Sequence, residues 1–102
     1  MTPLQLSHIV YLQAFRNYTI FVMANGTKRV SSTTLGVHEA NLDEQFFIRI
    51  HRQFLINRCY IKRIELESRA GWVQLMNGEK VPVSRRRIQE VLKQFAEIAP
   101  LD

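Results

Sequence analysis

Cysteine is almost missing from this 102-residue chain: Cys59 stands alone, which excludes an internal disulfide and a cysteine-rich zinc site. It reads as a small packed hydrophobe in a protein that needs no staple or that occupies a reducing compartment. Long apolar runs are missing too. No segment approaches the ~18 uninterrupted apolar residues of a membrane span, and Met1-Thr2-Pro3-Leu4 lacks a basic leader followed by an apolar stretch. A cytoplasmic protein without membrane contact is expected. Glycine and proline are scarce, at four and three residues, and with 46% hydrophobic residues they exclude a disordered chain. The length suits one domain over residues 1–102 with one modest core.

Catalytic signatures are also lacking. There is no phosphate-cradling glycine loop, no HExxH, no GxSxG and no second thiol, so neither an enzyme nor a cofactor is expected. His8, His38 and His51 are too scattered for a metal cluster, and structural or surface roles are expected for His8 and His38.

Acidic residues are missing selectively. Fourteen Lys and Arg face nine Asp and Glu, a formal charge of +5. No acid occurs between Met1 and His38, and none between Gln45 and Ile64, a stretch holding Arg49, Arg52, Arg58, Lys62 and Arg63. Segregated positive charge, with a pI of about 9.9, points to a polyanionic partner.

What is present is mostly strand-forming. Ser7 to Leu12 reads as a short buried strand, with strand over helix decided by context. Tyr18 to Ala24 and Thr27 to Ser32 flank Asn25-Gly26, and Trp72 to Met76 and Glu79 to Val83 flank Asn77-Gly78. Both read as hairpins on type I′ turns, since both turn residues tolerate positive φ. Pro82 marks an edge strand or a strand end. Thr33 or Thr34 caps a short helix through Leu35, Val37, His38 and Leu42, weakened at Gly36 by roughly 1 kcal/mol. Phe46, Ile48 and Ile50 alternate with Phe47, Arg49 and His51, predicting a strand with one apolar and one charged face. Phe54-Leu55-Ile56 breaks the alternation and reads as a bend or helical turn before a strand over Tyr60 to Leu66. Ser84 caps a final helix whose face is Ile88, Val91, Leu92 and Phe95. The expected fold is mostly β: an elongated stack of small antiparallel sheets with two hairpins, one short internal helix and a C-terminal helix, a poor match to helix-turn-helix proteins.

Three segments carry candidate chemistry. Arg49 to Arg58 sets cationic and amide side chains around Phe54-Leu55-Ile56, a rigid mount for groups that bond guanine, adenine or phosphate. A solvated sheet face is the alternative. Ser84-Arg85-Arg86-Arg87 puts three cations on a first helical turn, each costing on the order of 0.3–1 kcal/mol against the dipole. A bound phosphate would reverse that sign, whereas the same arginines can also turn to solvent or to Glu90. Arg16-Asn17-Tyr18 is a polar turn, and by itself ordinary turn chemistry.

Together these segments resemble the LytTR family. The match rests on Asn17-Tyr18 after an apolar strand, on Phe47 to Asn57 with its R-x-H-R-x-F-x-x-N string, on Asn77-Gly78, and on Val81-Pro82-Val83-Ser84-Arg85-Arg86, and it covers Ile9 to Phe95. The resemblance implies loops inserted into successive major grooves of double-stranded DNA, for transcription regulation as a bacterial response-regulator output domain. By position, it implies DNA contacts from Arg16, Asn17 and Tyr18, from Arg49, His51 and Arg52, and from Ser84, Arg85, Arg86 and Arg87. Arg52 and Arg86, with Arg16 or Tyr18 third, are the expected base readers; Arg49, Ser84, Arg85 and Arg87 are the expected phosphate holders. Two copies on paired repeat half-sites, dimerising on DNA, follow from the same resemblance. Two departures stand out: Gln53 where Ser is frequent, and Gly36-Val37 where charged helix formers are commoner. RNA or single-strand binding through Tyr11, Tyr18, Phe47, Tyr60 and Trp72, and a protein-interaction role through a sheet edge, are the competing readings.

Overall fold

Two Asn-Gly dipeptides organise the strands. In the computed structural model, which describes residues 6–67 and 70–98 with side chains as far as Gln94, the first joins β2 (Tyr18–Met23) to β3 (Lys28–Ser31). The second joins β7 (Gly71–Leu75) to β8 (Lys80–Val83). The turns differ from the expected type I′ form. Gly26 and Gly78 lie at φ of 89° and 90°, but Arg16 is the one non-glycine with positive φ among the described residues, so Asn25 and Asn77 stay at negative φ. Each loop is a three-residue turn closed by a left-handed glycine, whose amide donates 2.9 Å to the carbonyl of Met23 or Leu75. The asparagine side chains supply the reason: Asn25 Oδ1 accepts from the Thr27 amide and hydroxyl, and Asn77 Oδ1 from the Glu79 amide. This local bonding is satisfied without positive φ at Asn.

The first hairpin continues into a five-stranded antiparallel sheet of order β3-β2-β1-β5-β4, where β1 is Ile9–Phe15, β4 is Phe47–His51 and β5 is Phe54–Asn57. The second hairpin pairs with β6 (Ile61–Leu66) in a three-stranded sheet, β6-β7-β8. Pro82 sits opposite Trp72 on β8, an edge strand, where its missing donor breaks no inner ladder. The molecule measures 41 × 29 × 24 Å, the elongated two-sheet form expected.

The larger sheet is buried on both faces. Tyr11, Ile48, Ile50 and Ile56 pack against Ile61, Val73, Leu75, Val81 and Val83 of the smaller sheet. Ile9, Leu12, Phe21, Phe47 and Leu55 pack on the opposite face with Leu35 of α1 (Leu35–Asn41). This two-sided burial explains the misread segment Phe54-Leu55-Ile56. Leu55 and Ile56 serve different cores, so β5 lacks polar alternation and is a strand, not a bend. A register shift between Ile9 and Tyr11 is a bulge that turns Val10 and Tyr11 to the same core.

Other expectations need correction. Phe46 lies before β4 and is 52% exposed, whereas Phe47, expected on the charged face, is buried because α1 covers that face. Cys59 is exposed on the short 3-10 turn Arg58–Tyr60 and is not a packed hydrophobe. Thr34 occupies the α1 capping position without a side-chain capping bond. Ser84-Arg85-Arg86-Arg87 does not open an α-helix: Arg85–Arg87 is a 3-10 turn, and α2 (Ile88–Ile98) follows it with Glu90 in its first turn. The 3-10 turn runs directly into α2, so these arginines still stand at its positive end and the dipole cost read from the sequence remains. Val91 is buried, Ile88 half-buried and Leu92 at the rim, while the Phe95 side chain lies outside the described residues.

Asn57, the last residue of the R-x-H-R-x-F-x-x-N string, is buried. Its amide nitrogen donates to the carbonyls of Leu6 and Ile9 at 3.3 and 2.8 Å, and its oxygen accepts from the Cys59 amide at 2.9 Å. It ties the chain's first strand to β5 and faces no solvent. No helix among the described residues is long and apolar enough to cross a membrane.

Candidate nucleic-acid interface

The first of the three segments forms the two-residue turn of the β1–β2 hairpin, with Phe15 opposite Tyr18. Such turns require positive φ at their first central residue, and Arg16 adopts it, at 56°. Arg16, Asn17 and Tyr18 are all exposed. Phe15, which alternation would assign to a core, is 54% exposed, with the Arg16 guanidinium 5.7 Å from its ring centroid. Nothing in the sequence marks Phe15 as part of a site; only its place beyond the last buried residues of β1 does so.

The second segment is the β4–β5 turn. A register shift between Arg49 and His51 bulges β4 immediately before it, and bulges beside sites re-aim side chains. His51 Nδ1 accepts from the Gln53 amide at 3.1 Å, so in the neutral ring Nε2 carries the proton. The ring also meets Phe54 edge-on at 5.6 Å. Its pKa is lowered by partial burial first, then by the cations of Arg52, Arg87 and Arg49. Arg52 is exposed.

Arg49 is placed differently from its neighbours. Its side chain is 13% exposed and shares the α1-covered face with Phe47. Nε donates to the His51 carbonyl at 2.8 Å, Nη1 to Glu39 of α1 at 2.5 Å, and Nη2 to the Arg52 carbonyl. Its charge is spent within the protein.

The third segment is Ser84 with the 3-10 turn. Ser84 adopts an extended capping conformation, and its hydroxyl makes no capping bond. Arg85 and Arg86 are exposed, and Arg87 is half-buried beside His51.

Two main-chain hydrogen bonds bring these segments together. The Ala14 amide donates to the Gln53 carbonyl at 2.8 Å, joining the end of β1 to the β4–β5 turn. The Ser84 amide donates to the Ile50 carbonyl at 2.9 Å, joining the end of β8 to β4. The result is one face bearing Arg16, Arg52, Arg85 and Arg86, none of which forms an ion pair among the described residues. Other cations of the acid-poor stretch are elsewhere: Arg58 donates to the Gln94 carbonyl of α2, and Arg63 pairs with Glu65 at 3.2 Å on the smaller sheet. His38 bonds Ser31 Oγ at 2.9 Å and stands edge-on to Phe21, a structural role. His8 is exposed, and its carbonyl accepts from the Ala24 amide at 2.8 Å, at the end of the β1–β2 hairpin opposite Arg16.

Residues 1–96 match the family described as LytTr DNA-binding domain. The chain belongs to the LytTR family. It is therefore a DNA-binding domain, of a type that occurs in bacterial regulatory proteins. Over 63 residues it is 41% identical to the "Sensory transduction protein LytT" of Bacillus subtilis (strain 168), covering 61% of this chain and 26% of that protein. It is 32% identical over 82 residues to the protein of the same name from Enterococcus faecalis, covering 79% and 34%. It is 29% identical over 90 residues to the "Transcriptional regulatory protein BtsR" of Salmonella typhimurium, covering 86% and 36%. This LytTR chain thus spans about a quarter to a third of the curated relatives it matches. Among solved structures it is similar to the "LytTr DNA-binding domain of putative methyl-accepting/DNA response regulator from Bacillus cereus". That likeness has a TM-score of 0.81 at 28% identity and covers 88% of this chain and 83% of the other.

Proposed function

We propose that this face reads duplex DNA sequence-specifically in the major groove, for control of transcription. The observation that carries the reading is the joining of three sequence-distant turns by the Ala14–Gln53 and Ser84–Ile50 main-chain bonds, with exposed, ion-pair-free arginines on each turn. Rigid backbone ties of this kind hold long side chains in register with successive base pairs, as base-edge recognition requires. Arg52 and Arg86 are the base readers, with Arg16 or Tyr18 third; Asn17 shapes the first turn. His51, through Nε2–H, donates to an acceptor on the DNA. Ser84, Arg85 and Arg87 hold phosphate, which fixes register without reading sequence. Two copies occupy paired repeat half-sites and associate on the duplex.

The test is in vitro selection from a random duplex library, then titration of the enriched duplex and its scrambled control. Arg52→Ala and Arg86→Ala are each expected to cost ~1–3 kcal/mol on the enriched duplex and to spare the scrambled one. Equal losses on both would refute base reading. One observation favours a second reading: Phe15 and Tyr18, 54% and 48% exposed, are register partners across the Arg16 turn and leave two open aromatic rings on which unpaired bases could stack. Tighter binding to a single strand than to its duplex at matched salt would establish that alternative.

A further inference from the structure

The β4–β5 turn presents His51, Arg52 and Gln53, and all three of its main-chain carbonyls and the Gln53 amide are already engaged from within. The Gln53 amide donates to His51 Nδ1, and the Gln53 carbonyl accepts from Ala14. The carbonyls of His51 and Arg52 both accept from one side chain, that of Arg49. A guanidinium is planar and offers donors in a fixed fork, so it holds two successive carbonyls at one spacing; an ammonium cannot. The third arm of that fork meets Glu39 at 2.5 Å, which anchors the guanidinium to α1. The pair has no obvious purpose as a phosphate site. A carboxylate beside a phosphate-holding arginine repels the ligand, and a phosphate would have to displace Glu39. Nor is stability a sufficient reason, because ion pairs with a partner as open as Glu39, 42% exposed, contribute little.

We propose that Arg49, oriented by Glu39, is a positioning residue that pre-forms the His51–Gln53 turn for DNA reading and does not itself hold phosphate. The inference rests on the reading of this turn as a DNA-contacting element. It makes α1, which presents no cation to the basic face, part of the specificity machinery: α1 holds the arginine, the arginine holds the turn, and the turn holds Arg52.

Simple electrostatics and this proposal predict opposite signs for Glu39→Gln. Removing an acid from a basic DNA-binding domain strengthens its attraction to any duplex. Loss of the anchor instead lets the turn leave its competent conformation, and apparent affinity falls in proportion to the population lost, about tenfold where a tenth remains competent. Arg49→Lys keeps the charge, so a point contact to phosphate would survive it, whereas the two-carbonyl clamp would not.

The experiment titrates the unaltered chain, Glu39→Gln and Arg49→Lys against the selected duplex and its scrambled control at two salt concentrations. It also measures amide exchange at Gln53 by NMR without DNA. Both variants are expected to lose roughly tenfold on the selected duplex, to hold or gain affinity on the scrambled one, and to exchange the Gln53 amide about five times faster. Glu39→Gln binding both duplexes more tightly, or Arg49→Lys retaining full affinity for the selected duplex, overturns the proposal. If the unaltered chain prefers no duplex, the proposed function fails, and the exchange measurement decides separately: unchanged protection at Gln53 means that Arg49 does not set the turn.

Discussion

Arg16 holds a left-handed backbone conformation that costs a non-glycine residue roughly 1–2 kcal/mol. Glycine would fill this turn without the strain, so on the proposed reading the strain is tolerated for the DNA contact that the side chain makes. Arg16→Gly is expected to raise stability in denaturant by about 1 kcal/mol while weakening binding to the enriched duplex. A variant that is both less stable and fully binding would assign Arg16 a folding role instead. At His51 the sign of the pH dependence follows from a folded pKa below the ordinary 6.5. As pH falls, the unfolded chain takes up its proton first. The stability contributed by His51 is therefore complete above pH 6.5 and is lost as pH falls from there through the lowered folded value. Residue-resolved NMR titration should give a His51 midpoint below 6.5, shifting upward when DNA phosphates approach. His51→Gln should flatten its share of the pH–stability curve but leave the share of His38, which burial also lowers. A His51 midpoint at or above 6.5 in the free protein would contradict this picture.

At the scale of elements, the two glycine-closed turns separate folding from binding. A Cβ at Gly26 or Gly78 meets nothing within 4 Å, so alanine there costs only the backbone strain of positive φ, about 1–2 kcal/mol. Both turns lie at the strand ends opposite the Arg16 and Ser84 ends of the same hairpins. Gly26→Ala and Gly78→Ala should thus lower the denaturation midpoint by similar amounts and leave the DNA titration of the folded protein unchanged. These hairpins were legible because Asn-Gly is a local signal, and the family strings singled out the three segments that the structure joins. The turn type was not, because the choice between positive and negative φ at Asn depends on bonding to Thr27 and Glu79. β5 and Phe47 were obscured by burial on two faces, which removes the alternation that marks a strand. The Arg49–Glu39 contact was invisible for another reason: Glu39 lies ten residues back on α1, and no periodic pattern connects a helix acid to a strand cation. Convergence of the three turns, like the burial of Asn57, depends on bonds between residues more than 30 positions apart in the chain.

Across the whole molecule, the two sheets are joined by apolar packing and by a bond from the Tyr11 hydroxyl of β1 to Glu79 of the second hairpin, at 3.4 Å. Burial, with the Glu79 charge beside it, pushes the Tyr11 pKa up to about 12, so this bond persists at any physiological pH. On the proposed reading, the sheets act as one mount for a small set of phosphate contacts. With Arg85 and Arg87 as the phosphate-holding cations, log affinity against log salt should have a slope of roughly −2 on a duplex with one half-site and roughly −4 on one with two. Equal slopes on both duplexes would mean that a single copy binds each. The order of the face along the chain has a further effect, on timing. Its first turn is made at Arg16 and its last at Arg87, positions that leave a ribosome on the order of ten seconds apart at ~5–20 residues per second. The β1–β2 hairpin needs only neighbouring residues, and the Ala14–Gln53 bond can tie it to the β4–β5 turn, yet a chain lacking Ser84 has no third turn and no bond from it to Ile50. On the proposed reading, the interface is therefore completed only when its last turn is made, and a chain stopped before Ser84 is expected to lose preference for the enriched duplex over the scrambled one.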